Sequence, residues 1–442
     1  MSARRHRVLI IVQNLPVPFD RRVWMECTAL RNADIGVSVI CPKGPGDPWR
    51  QVINGVRIYK YAPPPEGSGL PGYALEFGYC WLMTALLSVL VAVKDGFGAI
   101  QACNPPDTYW LLAALWRPFG KRFVYDQHDL NPEVLLSRFD EPPTRRIRLV
   151  LAAVKWLERM TYRCADRVIA TNESYKAIAM RRGRRNAADV AVVRSGPDTA
   201  IMRPLQPMAE LRKGRRHLAA YVGIMGPQDG VDLALFAFAK VVHEHRRTDC
   251  HFALLGFGDC FEDLRQLSDE LNLSEHVTFT GRVGQPEIAD YLSTAALGIC
   301  PDPKNPLNDV STMNKTMEYM AYGVPVVSFD LTETRVSAGG AARYVRSGDL
   351  DAFARTWIAL LDDADERVRL GVLARERVSR ELDWAPQAER YVRLWTDVLG
   401  IEPRPEDRAC AADLRECPSD ARGRRYIDLN KPGELACSIR SR

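Results

Sequence analysis

Ser311, Asn314, Lys315 and Glu318 follow one another at steps of three, one and three residues, so on a helix they share a face. Met313, Met317, Met320 and Ala321 fall at helical spacing on another face, an ordinary core stripe. The stretch Asn308–Gly323 therefore predicts a loop, a helix of about three turns and a glycine stop. Pro325 and the buried strand over 324–329 come next. Asp309, Ser311 and Thr312 stand where a helix start wants short polar acceptors. Such a start presents N–H groups and a partial positive charge, so it suits a phosphate. Lys315 in the first turn opposes the bare helix dipole and is favoured there beside an anion. Glu318, one turn deeper, carries the acceptors that a ribose diol needs. Taken alone, the pattern also fits an amphipathic helix with a solvated polar edge.

At 442 residues the chain exceeds one core and predicts two domains. With 46% hydrophobic and 26% charged residues it is an ordinary folded protein rather than a disordered one. The net charge of +5 hides an asymmetry. Residues 1–200 hold 28 Lys+Arg against 18 Asp+Glu, and the remainder 32 against 37. A basic first half points to an anionic contact for that half, such as lipid headgroups, or to an incidental arginine-rich surface. Eleven cysteines with no C-x-x-C pair and no metal-ligand spacing fit reduced thiols. Phe77–Val93 has seventeen residues without a charge, at the short limit for a membrane span. It reads as a helix buried against a sheet or as one lying partly in a membrane surface, the buried helix being the expectation.

The chain opens β-α-β: a strand at Val8–Val12, a helix capped by Asp20 with Val23, Trp24, Cys27 and Leu30 inward, and a strand at Val37–Cys41. Further strands read at Val56–Tyr61, Ala99–Ala102, Lys121–Asp126 and Arg167–Thr171. The strand ending at Asp126 delivers Gln127, His128 and Asp129 to a loop. His128 between two carboxylates has the makings of a fixed tautomer, or of a loop histidine bonded to backbone. Glu133 is a second polar candidate. Basic clusters at 138–163 and at Arg181, Arg182, Arg184 and Arg185 suit an anionic membrane face or a solvated one. Ser195–Pro207 reads as a linker, and a second alternation of six strands with helices follows. Doubly wound sheets bind ligands beyond the carboxyl ends of their strands, so two of them predict an α/β protein whose domains face a cleft. The expected boundaries are 1–200 and 201–383, a helix at 384–400 crossing back to the first domain, and a tail at 401–442 of disordered composition.

Gly256-Phe-Gly258 lacks the third glycine of a dinucleotide fingerprint and does not follow the first strand of its domain, which argues against a nicotinamide enzyme. There is no G-x-x-x-x-G-K-[ST] and no G-x-S-x-G elbow. The segments Pro18–Trp24, Asp126–Asp129, Tyr221–Gly230, Asn308–Lys315 with Glu318-Tyr-Met, and Phe329-Asp-Leu together resemble bacterial retaining glycosyltransferases of the GT-B fold, in the branch making capsule, exopolysaccharide or O-antigen. The resemblance covers roughly residues 7–400. It implies two Rossmann-like domains, the second holding a nucleotide-diphosphate sugar and the first an acceptor. The resemblance further implies a polyprenyl-diphosphate-linked sugar or saccharide as acceptor and a cytoplasmic enzyme peripheral at the inner membrane face. It implies Glu318 on the ribose, and His128 near the reacting carbon. The diphosphate falls to Asn314, Lys315 and the backbone of Ser311, Thr312 and Met313, with Gly223 and Gly226 in the loop after the second domain's first strand. Arg282 and Val283 flank the base. No cofactor, metal or nucleic acid is implied.

Two departures from that pattern stand out. Where many members have a glutamate eight residues before Glu318, this chain has Val310, with Asp309 adjacent and assigned the sugar-hydroxyl contact. Where many place Arg and Lys after the second domain's first strand, it has Ile224, Met225, Gln228 and Asp229. Lys315 then becomes the expected neutraliser of the donor's charge, and Lys315→Ala is expected to lower turnover far more than stability. The alternatives are a non-catalytic nucleotide-sugar-binding subunit and a nucleotide-sugar epimerase of the same fold.

Overall fold

Uninterrupted apolar runs build the strands, because a parallel sheet covered on both faces has no polar side. The computed structural model describes residues 6–64, 69–137, 144–401, 422, 424–429, 431 and 433–442. One unit reaches Ser195 and resumes at Ala385; the other runs Gly196–Trp384 and takes the C-terminal segment. The first unit comprises β1 (Arg7–Ile11), α1 (Arg21–Asn32), β2 (Gly36–Pro42), β3 (Arg50–Ile53), β4 (Val56–Tyr61), α2 (Gly69–Lys94), β5 (Ala99–Cys103), α3 (Trp110–Trp116), β6 (Arg122–Gln127), α4 (Asn131–Leu136), α5 (Arg145–Cys164), β7 (Arg167–Ala170), α6 (Glu173–Gly183) and β8 (Val190–Val192). Its sheet has the order β3-β4-β2-β1-β5-β6-β7-β8, and only the β3 edge pairs antiparallel.

The second unit comprises β9 (His217–Val222), α7 (Val231–Ala239), β10 (Cys250–Leu255), α8 (Phe261–Glu270), β11 (Val277–Gly281), α9 (Gln285–Thr294), β12 (Leu297–Cys300), α10 (Asn314–Ala321), β13 (Val326–Phe329), α11 (Thr332–Ala338), β14 (Ala342–Val345), α12 (Leu350–Asp362) and α13 (Ala364–Arg377). Its six parallel strands run β11-β10-β9-β12-β13-β14, the doubly wound order of a Rossmann sheet. One side of that sheet is filled by Phe238, Phe252 and Trp357, ring against ring. Helix α14 (Trp384–Leu399) buries Tyr391 and Trp395, and from Ala385 onward it belongs to the first unit. There the Tyr391 hydroxyl donates to Gln101 Oε1 at 2.6 Å.

Three expectations change. Strands β3 and β8 were not foreseen; β3 is an exposed edge and β8 has three residues. Helix α2 buries only one face, and a row of its leucines and valines is exposed. Within the segment expected to be a tail, residues 402–421 lie outside the described residues, but the end is folded. Tyr426 bridges Leu205, α15 (Glu434–Arg440) packs on α13, and Ile427, Ile439 and Arg442 are buried. A few well-placed apolar residues and the Arg422–Asp290 pair at 2.6 Å hold what composition alone marks as loose.

Candidate active site

In the second unit the strand order reverses between β9 and β12, and ligands of doubly wound sheets bind at that switch point. Three loops meet there. The loop after β9 stands so close to the loop after β10 that a Cβ on Gly256 would lie 1.8 Å from the Gly223 carbonyl oxygen. Gly258 is equally constrained, its Cβ position lying 2.5 Å from the Met225 carbonyl oxygen. The G-x-G of this chain thus serves loop-on-loop packing. Gly230 has φ 65°, and a side chain there would strike the Pro301 carbonyl oxygen at 2.4 Å.

Helix α10 brings Lys315 to these loops. Its ammonium donates to Asp302 at 2.6 Å, lies 3.6 Å from Asp229, and sits over the Tyr221 ring at 4.8 Å. Burial alone would lower the Lys315 ammonium, but the Asp302 carboxylate overrides it and holds it well above its ordinary value. Burial raises the Asp229 carboxyl, against the pull of Lys315. The anion that the dipole argument called for is therefore supplied from within the chain. Tyr319, whose hydroxyl accepts from Val222 N at 2.9 Å and donates to the Ile299 carbonyl at 3.2 Å, locks α10 to both central strands.

The other expected residues are placed as follows. Gly223 adjoins Lys315, with 3.5 Å from its Cβ position to Lys315 Cε. Gly226 N donates to Asp229 at 3.0 Å. Arg282 lies over the Phe257 ring at 5.2 Å, and Val283 packs on the core. Glu318 is half-buried one turn into α10. The helix start differs from expectation. α10 begins at Asn314 with Met313 as its cap residue, which makes no side-chain capping bond. Ser311 Oγ instead donates to the Leu307 carbonyl at 2.7 Å. Thr312 is half-buried in the loop between that turn and α10. Asp309 accepts from Thr332 N at 2.8 Å, at the head of α11, and pairs with Lys304 at 3.2 Å. Asp309 and Ser311 thus bond into the neighbouring turns rather than capping α10.

In the first unit, His128 sits at the end of β6 with 18% of its side chain exposed. Its Nε2 lies 2.8 Å from Asp126 and 3.1 Å from Arg22 Nε. One ring nitrogen cannot donate to the first and accept from the second at once. Burial would lower the imidazole, but Asp126 overrides it and raises it; the raised value favours the protonated ring, whose Nε2–H donates to the carboxylate while Nδ1 takes no part in that bond. The Asp129 carboxyl is raised by burial and drawn down by the His128 charge, and its backbone is tied to Asn104. Glu133 pairs with Arg182.

Arg22 and Glu26, one turn apart on α1, were missed. An i,i+4 Arg/Glu pair normally reads as a solvated surface pair; here both are buried. Arg22 donates to Asp126 at 3.0 Å, to Ser195 Oγ at 2.8 Å and to the Val193 carbonyl at 3.0 Å. Gln101 Nε2 donates to Glu26 at 2.7 Å and to Asp126 at 2.9 Å. Cys103, Asp126 and His128 put ligand-type atoms within 4.8 Å of one another, and Arg22 is already the cation beside them. Burial, reinforced by the charge of Asp126, pushes the Glu26 carboxyl up to about 8 from its ordinary 4.5. A raised carboxyl is protonated preferentially in the fold. Its stabilising contribution is complete below pH 4.5 and is lost as pH rises through about 8; His128, also raised, acts in the same direction. The melting temperature should therefore fall across that window. Glu26→Gln should remove most of the fall, on the order of 2–4 kcal/mol, as read by thermal unfolding across pH. An unchanged slope would discount the buried carboxyl.

Residues 20–196 match the family model described as a glycosyl transferase 4-like domain, and residues 216–363 match glycosyl transferases group 1. The fold is that of the GT-B glycosyltransferases. Sucrose-phosphate synthase from Thermosynechococcus elongatus is similar with a TM-score of 0.70 at 19% identity, covering 90% of this chain and 100% of that one. HepE of Anabaena in complex with UDP-glucose gives 0.65 at 15% identity, covering 88% and 99%. Within that fold the chain belongs to the group 1/group 4 type. Among curated relatives, the GDP-mannose-dependent alpha-(1-6)-phosphatidylinositol monomannoside mannosyltransferase of Mycobacterium tuberculosis is 28% identical over 215 residues, 45% of this chain and 53% of that protein. Alpha-maltose-1-phosphate synthase of Mycolicibacterium smegmatis is 26% identical over 275 residues, 55% of this chain and 66% of that protein. The alignments thus span about half to two thirds of these relatives' lengths.

Proposed function

We propose that the protein transfers a sugar from a nucleotide-diphosphate donor to a lipid-linked or polysaccharide acceptor, with retention at the anomeric carbon, in surface polysaccharide synthesis at the inner face of the cell membrane. The observation that carries this reading is the meeting of Lys315, the Gly223–Gly226 loop and the start of α10 at the β9/β12 switch point, with Glu318 one turn beyond. In the reaction the bond from C1 to the diphosphate oxygen breaks and a bond from C1 to the acceptor oxygen forms. The acceptor's proton passes to the departing diphosphate. Helix N–H groups and Lys315 stabilise the charge on that leaving group without a metal. Arg282 and Val283 flank the base, Glu318 holds the ribose, Asp309 reaches a sugar hydroxyl, and His128 presents Nδ1 to the transferred sugar.

One observation favours a second reading, a nucleotide-sugar-binding subunit without turnover: the Lys315 charge is already met by Asp302. A panel of nucleotide sugars separates the two when nucleoside diphosphate release is measured with lipid-linked acceptor present. Acceptor-dependent release is expected, and Glu318→Ala should reduce it by about two orders of magnitude by removing a bidentate ribose contact. Binding without release would favour the silent subunit. Release that Glu318→Ala leaves unchanged would remove that residue from the donor site.

A further inference from the structure

Helix α2 is inside out. Its buried side chains include Cys80, Thr84 and Ser88, while Leu82, Leu86, Val89 and Val93 are 54%, 58%, 54% and 69% exposed. In water an amphipathic helix does the reverse. Exposed apolar residues continue onto the neighbouring helices. Trp116 at the end of α3 donates its indole N–H to Ser88 of α2 at 3.1 Å, and Trp110 of α3 meets Trp156 of α5 edge-on at 6.0 Å. Leu115 and Phe119 at α3, and Leu149 and Trp156 on α5, are exposed as well. Apolar patches beyond a few hundred Å² are rare on soluble monomers and mark interaction sites.

The exposed charges of the three helices are predominantly basic, with Arg117 paired to Asp166 at 3.5 Å just beyond α5. Arg145, Arg146, Arg148 and Arg159 are exposed on α5, with Lys94 at the end of α2 and Arg117 after α3. The acids of the three helices are Glu76, near the start of α2, and Glu158, which is buried against Arg182. Helix α2 does not cross a bilayer here: it connects β4 to β5 in one sheet and packs on β2 and β4.

We propose that α2, α3 and α5 form a docking face for an anionic lipid bilayer, lying flat with leucine, valine and tryptophan in the acyl boundary and arginines on the headgroups. This deepens the proposed function and rests on it for the leaflet concerned. Its test needs neither donor nor acceptor, so either idea can fail alone. The full chain is sedimented with empty vesicles of phosphatidylcholine, with and without phosphatidylglycerol. Binding is expected with phosphatidylglycerol and should weaken as salt rises. The combined Leu82→Gln, Leu86→Gln and Val89→Gln variant should lose at least tenfold in binding and keep its melting temperature, since more than half of each residue is exposed. Replacing Arg145, Arg146 and Arg148 by serine should weaken binding and flatten its salt dependence. No binding by the parent chain, or equal binding by the glutamine variant, overturns the proposal. So does a parent dimer in light scattering that the glutamine variant turns into monomer, which would make a second copy the occupant.

Discussion

Lys315→Met should destabilise the second unit by about 3–5 kcal/mol and lower turnover by about 10²–10³-fold. The stability loss follows from Asp302, whose side chain is 2% exposed and whose ion pair with Lys315 spans 2.6 Å. Without the ammonium a buried carboxylate stands uncompensated, and Asp229 no longer has a cation nearby. The sequence-based expectation is that replacing the lysine lowers turnover far more than stability; with Asp302 buried beside it, the two losses are expected to be of similar size. The decisive comparison is Lys315→Met with Asp302→Asn. The double variant should recover most of the stability, measured by urea unfolding, and none of the turnover, because only the cation serves the departing diphosphate. If the double variant regained activity along with stability, Lys315 would be a packing residue and the phosphate grip would lie elsewhere.

What could be read from the chain alone was whatever burial writes locally. Val8–Ile11 and Leu218–Val222 are strands because nothing polar interrupts them, and in the fold their side chains are almost wholly buried. Edge strand β3 escaped because Arg50 and Val52 face solvent, so its composition resembles a loop. Helix α2 was misjudged for a different reason. Apolar residues surround it on all sides, a pattern that reads as a buried helix, and periodicity cannot say which side meets the sheet. The spacing of Lys315 and Glu318 was visible because one helix carries both. Their setting was not: Asp229 and Asp302 reach Lys315 only through the doubly wound topology. The same holds for Arg22, whose partners Asp126 and Ser195 are 104 and 173 residues away.

That long reach makes Arg22→Met the most damaging change expected in the first unit. It would strand the Asp126 carboxylate, which is wholly buried, at a cost of about 3–5 kcal/mol. Burial would raise the Asp126 carboxyl; Arg22 and then His128 hold it below its ordinary range, so without Arg22 the imidazole is left to hold it. Arg22→Lys is no remedy. The guanidinium fork reaches Asp126, Ser195 and the Val193 carbonyl together, and a single ammonium on a flexible stem cannot span them. Because two units need not unfold in one step, the loss is best read by hydrogen exchange of peptides covering β1 and β6. Protection should fall there and persist in β9 and β12. Arg22→Met with Asp126→Asn should restore part of it. The double variant should still lack the orientation of His128, since a neutral amide replaces the carboxylate that fixes Nε2–H, so its acceptor-dependent turnover should stay low while its fold recovers. Protection unchanged in Arg22→Met would show that Asp126 is not held as a buried carboxylate by Arg22 and does not govern the histidine.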